Sequence, residues 1–180
     1  MIRIAVVGAS GRMGQTIIEA ISQNDKVSLG ATLDKGDDLS AALDQFDVLI
    51  DFTRPEATLE YLSVCQSSGK AMVIGTTGFS DEQLQVINDT ANHVPIVFAP
   101  NMSVGVNLLF NLVESVSKIL GEEADIEIIE SHHRYKKDAP SGTALKLAEK
   151  ICSATSREMD DVVIYGRKGF TEERPQDQIC

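Results

Sequence analysis

The chain has 180 residues, 43% of them hydrophobic and 24% charged, a balance that fits a folded globular protein and excludes disordered, collagen-like and disulfide-scaffold classes. Its formal net charge of −11 argues against a general nucleic-acid binder, because neutralising phosphates takes clustered Lys and Arg. Cys65, Cys152 and Cys180 form an odd set without a C-x-x-C pair, which points to free thiols in a reducing, cytoplasmic setting. No run approaches the roughly 20 apolar residues of a membrane span, and the opening apolar run is too short for a signal peptide.

The first half alternates short β-branched runs with segments of helical period, the signature of βαβ units around a parallel sheet. Residues 2–7 predict a strand and residues 13–22 the helix that follows it. Strands are expected next at 27–33 and 48–52. Thr53 is the expected N-cap of a helix over 55–68, with Pro55 in its first turn and Gly69 closing it. A strand at 71–74 precedes a helix opened by Ser80, with Gln83 completing a capping box, and residues 96–99 form the last expected strand of the alternation. The pattern changes near Pro100-Asn101-Met102-Ser103. A helix over 104–120 follows, ending at Gly121, with Val106, Leu109, Phe110, Val113 and Val116 expected in a core. Beyond it come an expected strand at 125–131, a polar loop, a helix from about Thr143 and a short strand at 162–165. The fold class expected is α/β: a Rossmann-type parallel-sheet domain over 1–103, then an α+β domain over 104–180.

Gly8-Ala9-Ser10-Gly11-Arg12-Met13-Gly14 lies where the first strand should end and the first helix begin. There glycines permit a tight turn, close approach of backbone to a pyrophosphate, and close helix–strand packing, while the helix N-terminus offers free N–H groups. The spacing is G-x-x-G-x-x-G, so the division of labour among the glycines stays open. At the end of the second strand, Asp34 has the position of an acceptor for a ribose 2′-hydroxyl, and Lys35 that of a partner for a 2′-phosphate. Together they predict use of NADH or NADPH. Gly75-Thr76-Thr77-Gly78 and Ala99-Pro100-Asn101-Met102 fall at the carboxyl ends of further strands, where open α/β sheets bind ligands; Gly, Pro and Asn also suit plain turns.

The densest chemistry runs from Glu130 to Ala144, and includes His132, His133, Arg134, Lys136 and Lys137. An acidic protein that concentrates cations there has a local anion site. Ser141, Gly142 and Thr143 precede a helix, so their N–H and hydroxyl groups are placed to hold a carboxylate, with Lys136 or a histidine adding charge. A small dianionic substrate is expected. Imidazole near neutral pH suits proton donation to carbon in a reduction. No metal is expected, since His132-His133 has no matching ligand set elsewhere and His93 stands alone in a loop, read as surface. A solvated loop with a plain helix cap is the competing reading.

Over nearly all of its length the chain resembles the 4-hydroxy-tetrahydrodipicolinate reductase family. Glu130 to Ala144 is similar to that family's E-x-H-H-x-x-K-x-D-A-P-S-G-T-A signature, and the Gly8–Gly14, Asp51-Phe52-Thr53, Gly75–Gly78 and Ala99–Ser103 segments resemble its cofactor loops in order and position. The resemblance implies reduction by NADPH or NADH on the route to diaminopimelate and lysine, with His132 supplying the proton. Lys136 would assist that step and grip a carboxylate of a small dicarboxylate substrate, whose carboxylates His133, Ser141, Gly142 and Thr143 would also bind. The cofactor would be lined by Gly8, Ala9, Ser10, Gly11, Arg12 and Met13, by Asp34 and Lys35, by Gly75, Thr76 and Thr77, and by Ala99, Pro100, Asn101 and Met102. It also implies a homotetramer built through the substrate domain's sheet. Family members continue with R-G-G-D and G-E-H-T segments where this sequence stops at Cys180, so a shortened chain is expected, with one alternative being a product that binds the cofactor without turnover.

Overall fold

The computed structural model describes residues 1–121, 123–136 and 138–180; Lys137, part of the expected basic run, lies outside them. The described residues form two compact units, Met1–Pro100 and Asn101–Cys180.

In the first unit, β1 (Ile2–Val7), β2 (Val27–Leu33), β3 (Val48–Asp51), β4 (Ala71–Ile74) and β5 (Ile96–Phe98) make one parallel sheet in the order β2-β1-β3-β4-β5. The order follows from the handedness of the crossovers. A right-handed connection from β1 to β2 puts its helix on one face, and the return past β1 to β3 puts later helices on the other. Accordingly α1 (Arg12–Ser22) sets Ile17, Ile18 and Ile21 against Ile4 and Val6. The 3-10 helix Leu39–Gln45, α2 (Pro55–Ser68) and α3 (Asp81–Thr90) bring Leu39, Leu62 and Ile87 to a cluster with Ala5, Val7 and Leu49. Alternation along β1 serves both layers, since successive side chains of a strand point to opposite faces.

Ser80 accepts from the N–H of Gln83 and the Gln83 side chain returns the bond, the expected capping box. α2 departs from expectation at its start. Its N-cap is Arg54, not Thr53, because the Thr53 hydroxyl donates to Asp51 at 2.6 Å instead of turning to the helix. Pro55 opens α2 and Gly69, in the left-handed conformation, closes it. β3 and β5 each stop one residue earlier than predicted, at Asp51 and Phe98.

The second unit contains α4 (Val104–Leu120), α5 (Gly142–Thr155) and the short α6 (Met159–Val162). Ser103 and Ser141 cap the first two, each accepting from the N–H three residues on. α4 packs on α5, and Glu114 of α4 meets Lys150 of α5 at 2.7 Å. Only part of the expected α4 stripe is core: Phe110 is buried, whereas Leu109 is 44% and Val116 53% exposed. α4 is apolar around most of its circumference, and one neighbouring helix covers only one side.

Neither strand expected in this unit forms as a regular strand among the described residues. Ile126 and Val163 make single parallel bridges to Ile179, and Val162 closes α6. A ladder needs a run of partner backbone, and here three short segments meet around one residue pair each. Ile179 is buried among Ile151, Cys152 and Val162, and Arg174 clasps the same segments by donating to the carbonyls of Ile126 and Gln178.

Candidate active site

In the first unit the sheet order reverses between β1 and β3, where chains leave in opposite directions and open a crevice at the carboxyl ends. The turn after β1 is constrained on every side. Gly8 has φ +66°, a conformation L side chains rarely adopt, and a Cβ there would stand 2.9 Å from Thr53 Cγ2. At Gly14 a Cβ would stand 2.3 Å from the Gly8 carbonyl oxygen and 2.8 Å from Ala9 Cα, so this is the glycine that lets α1 lie on β1. Gly11 donates to the Gly8 carbonyl at 3.0 Å and is the N-cap of α1 without any side-chain cap. The exposed Arg12 and Met13 then begin the helix.

Contacts join this turn to the loops after β2, β3 and β4. Asp34 accepts from the N–H of Ser10 at 3.1 Å and from its hydroxyl at 2.9 Å. Gly8 abuts Thr53, whose N–H donates to the Thr76 hydroxyl at 2.9 Å. Thr77 and Lys35 are exposed. Ala99 and Pro100 follow β5 in this unit; Asn101 and the exposed Met102 open the second.

Beneath these loops lies Asp51, from the segment that resembles one of the family's cofactor loops. Asp51 is fully buried at the end of β3 and accepts from the Thr53 N–H at 2.9 Å, the Thr53 hydroxyl at 2.6 Å and the Thr58 hydroxyl at 2.5 Å. It fixes the β3–α2 turn against Gly8. Its charge reaches Cys65, whose thiol is pushed up to about 11 by burial first and by Asp51 second, so the thiol stays protonated and inert at neutral pH. All three cysteines are free.

The second unit gathers most of the signature. Glu130 accepts from the Ser141 N–H at 2.8 Å and from the Ser141 hydroxyl, and its second oxygen lies 3.0 Å from His132 Nε2. These bonds, led by the Ser141 hydroxyl, hold its carboxyl down at about 2. Lys136 Nζ meets both oxygens of Asp138 at 2.9 Å, which holds that carboxyl below its ordinary range. His133 Nδ1 accepts from the Tyr135 N–H at 3.2 Å, and Arg134 lies over the Tyr135 ring. Thr143 and Asn101 pair through hydroxyl and amide at 3.4 Å.

Ser141 was expected to receive a ligand carboxylate, but its N–H and hydroxyl are engaged by Glu130, and its oxygen also accepts from the Ala144 N–H. The first N–H groups of α5 with no acceptor among the described residues are those of Gly142 and Thr143. Glu130 belongs to the quoted signature; what its position could not show is the contact across 11 residues that carries it to the start of α5. His93 is exposed, as expected, and no cluster of His, Cys, Asp or Glu suited to a metal occurs among the described residues.

A parallel sheet with this strand order, carrying a glycine-rich turn into a helix at its carboxyl edge, defines a Rossmann-type α/β protein, a frame shared by nicotinamide-dependent oxidoreductases. The family description "Dihydrodipicolinate reductase, N-terminus" matches residues 2–102 and "Dihydrodipicolinate reductase, C-terminus" matches residues 105–180. The chain is similar to 4-hydroxy-tetrahydrodipicolinate reductase of Hahella chejuensis, with 50% identity over 99% of this chain and 76% of that protein. Among solved structures it is similar to dipicolinate-bound dihydrodipicolinate reductase from Paenisporosarcina sp. TG-14, with a TM-score of 0.73 and 29% identity over 97% of this chain and 71% of that one. The chain belongs to the dihydrodipicolinate reductase family. It is shorter than the Hahella protein, and the match of both halves does not favour a chain that only binds a cofactor. Among the described residues no helix is long and apolar enough to cross a membrane.

Proposed function

We propose that this chain reduces 4-hydroxy-tetrahydrodipicolinate to tetrahydrodipicolinate, on the route to diaminopimelate and lysine, using NADPH or NADH. The observation that carries the reading is the family match across both units, with the glycine turn in one and the His132–Lys136 loop in the other.

The first unit suits a nicotinamide dinucleotide. Gly8, Gly11 and Gly14 keep the turn tight where a Cβ would collide with Thr53, the Gly8 carbonyl or Ala9, and the uncapped start of α1 directs the N–H groups of Arg12 and Met13 at the turn, where the dipole favours phosphate. Asp34 orients Ser10 and keeps acceptor capacity for a ribose hydroxyl, while Lys35 supplies charge for a 2′-phosphate. Gly75, Thr76 and Thr77, with Ala99 and Pro100, line the same carboxyl edge, and Asn101 and Met102 continue the chain from it. When bound, the cofactor supplies hydride.

The second unit binds the dicarboxylate and handles the proton. Lys136 exchanges Asp138 for a substrate carboxylate and assists the proton step, the Gly142 and Thr143 N–H groups receive the other carboxylate, and Ser141 shapes the turn through Glu130. His133 adds a polar contact and His132 donates the proton. Hydride and a proton enter the ring system and water leaves. A homotetramer is the assembly expected for the active enzyme.

Purified chain, given substrate generated in situ from pyruvate and aspartate semialdehyde, should oxidise NADPH and NADH, and His132→Gln should lower kcat by about 100-fold or more. Cofactor binding without turnover by the parent chain would overturn the reading.

A further inference from the structure

We infer that Glu130 is a positioning residue for His132: its carboxylate, moored to Ser141 at the start of α5, accepts the Nε2–H of the imidazole and leaves Nδ1 as the nitrogen that takes up and delivers the proton. The inference deepens the proposed reaction and rests on it for the proton's destination, while the contact itself stands on geometry.

The two carboxylate oxygens divide their work. One takes the Ser141 N–H at 2.8 Å; the other takes the Ser141 hydroxyl and lies 3.0 Å from His132 Nε2. Ser141 is 4% exposed and caps α5 through Ala144, so the mooring is part of a packed helix start. Glu130, held down at about 2, is ionised at neutral pH and offers only acceptors. A neutral His132 beside it must therefore carry its proton on Nε2, which fixes the tautomer. Asp138, whose charge also acts on His132, is claimed by Lys136 with both oxygens at 2.9 Å. In the step that follows, the Nδ1–H bond of the imidazolium breaks and a bond from that proton to substrate forms. His132 returns to the neutral Nε2–H form and is reprotonated from water. A carboxylate behind the imidazole orients it, as acids do behind histidines in other sites.

Glu130→Gln separates this role from a structural one. Its amide oxygen still accepts the Ser141 N–H and its NH₂ can donate to the Ser141 hydroxyl, but that NH₂ cannot accept from Nε2–H. Long-range ¹H–¹⁵N spectra of the full chain at about pH 8 read the tautomer of His132 directly, with H132Q assigning the signal. Wild type is expected to show the Nε2–H pattern and E130Q to lose it. In turnover, E130Q should lose about 10- to 100-fold in kcat with cofactor affinity by fluorescence unchanged. An Nδ1–H pattern in wild type, or an unchanged pattern in E130Q, overturns the inference, and the wild-type spectrum tests it even if E130Q folds poorly. An Nε2–H pattern in a wild-type chain without turnover would instead remove the proposed reaction and leave the contact standing.

Discussion

Asp51 carries a carboxylate into the interior with two hydroxyls and an N–H as its bonded partners. Such a group is tolerated because every donor around it converges, and hydrogen bonds to a charge are each worth about 1.5–3 kcal/mol. Asp51→Asn should therefore destabilise the chain by about 1.5–3 kcal/mol in urea unfolding, and should weaken binding of the nicotinamide cofactor by loosening Thr53 against Gly8. Binding that survives while stability falls would confine Asp51 to the core. Gly14→Ala tests the same turn from the helix side. A methyl 2.3 Å from the Gly8 carbonyl forces α1 away from β1, so a loss of about 1–3 kcal/mol and of cofactor binding is expected, read by thermal melting and fluorescence titration. These two residues differ in legibility. Gly14 stands in a recognisable spacing, whereas the role of Asp51 depends on Thr58 arriving from α2 and on Thr76, from the loop after β4, sharing the Thr53 N–H.

At the scale of the element, the sequence signals were local and held where the structure is local. Ser80 and Gln83 form their capping box within four consecutive residues, and Ser80→Ala should cost about 1 kcal/mol, checked by the urea midpoint at unchanged m. Thr53 does not cap α2: its hydroxyl donates to Asp51, two residues back, and the helix starts from Arg54 with no side-chain cap. The strands expected at 125–131 and 162–165 had the composition of strands, yet each finds one bridge to Ile179. Backbone pairing is a property of the partner as much as of the segment. α4 shows the same limit from the other side: its periodicity marks apolar positions but not which of them a neighbour covers, so Phe110 is buried and Leu109 is not.

Across the whole molecule, acid is the condition that separates paired from unpaired carboxylates. Glu114 and Glu130 in the second unit and Asp47 in the first are each lowered to about 2, from 4.5, 4.5 and 3.8, chiefly by hydrogen bonds from Lys118, Ser141 and Arg3 respectively. A depressed carboxyl contributes its stability above its unfolded value and loses it as pH falls toward its folded one. The melting temperature should therefore drop as pH falls from about 4.5 to about 2, and Glu114→Gln should flatten part of that drop; the same slope in both chains would count against the Lys118–Glu114–Lys150 cluster. By itself the sequence determined the alternation of strands and helices in the first unit, the glycine turn and the histidine-lysine signature, because each is written in neighbouring residues. Only the tertiary structure decided that Asp51 sits beneath the glycine turn, that Glu130 occupies the start of α5, and that 125–131 is bridged rather than laddered, because those facts require residues far apart in the chain to compete for the same donors and the same backbone.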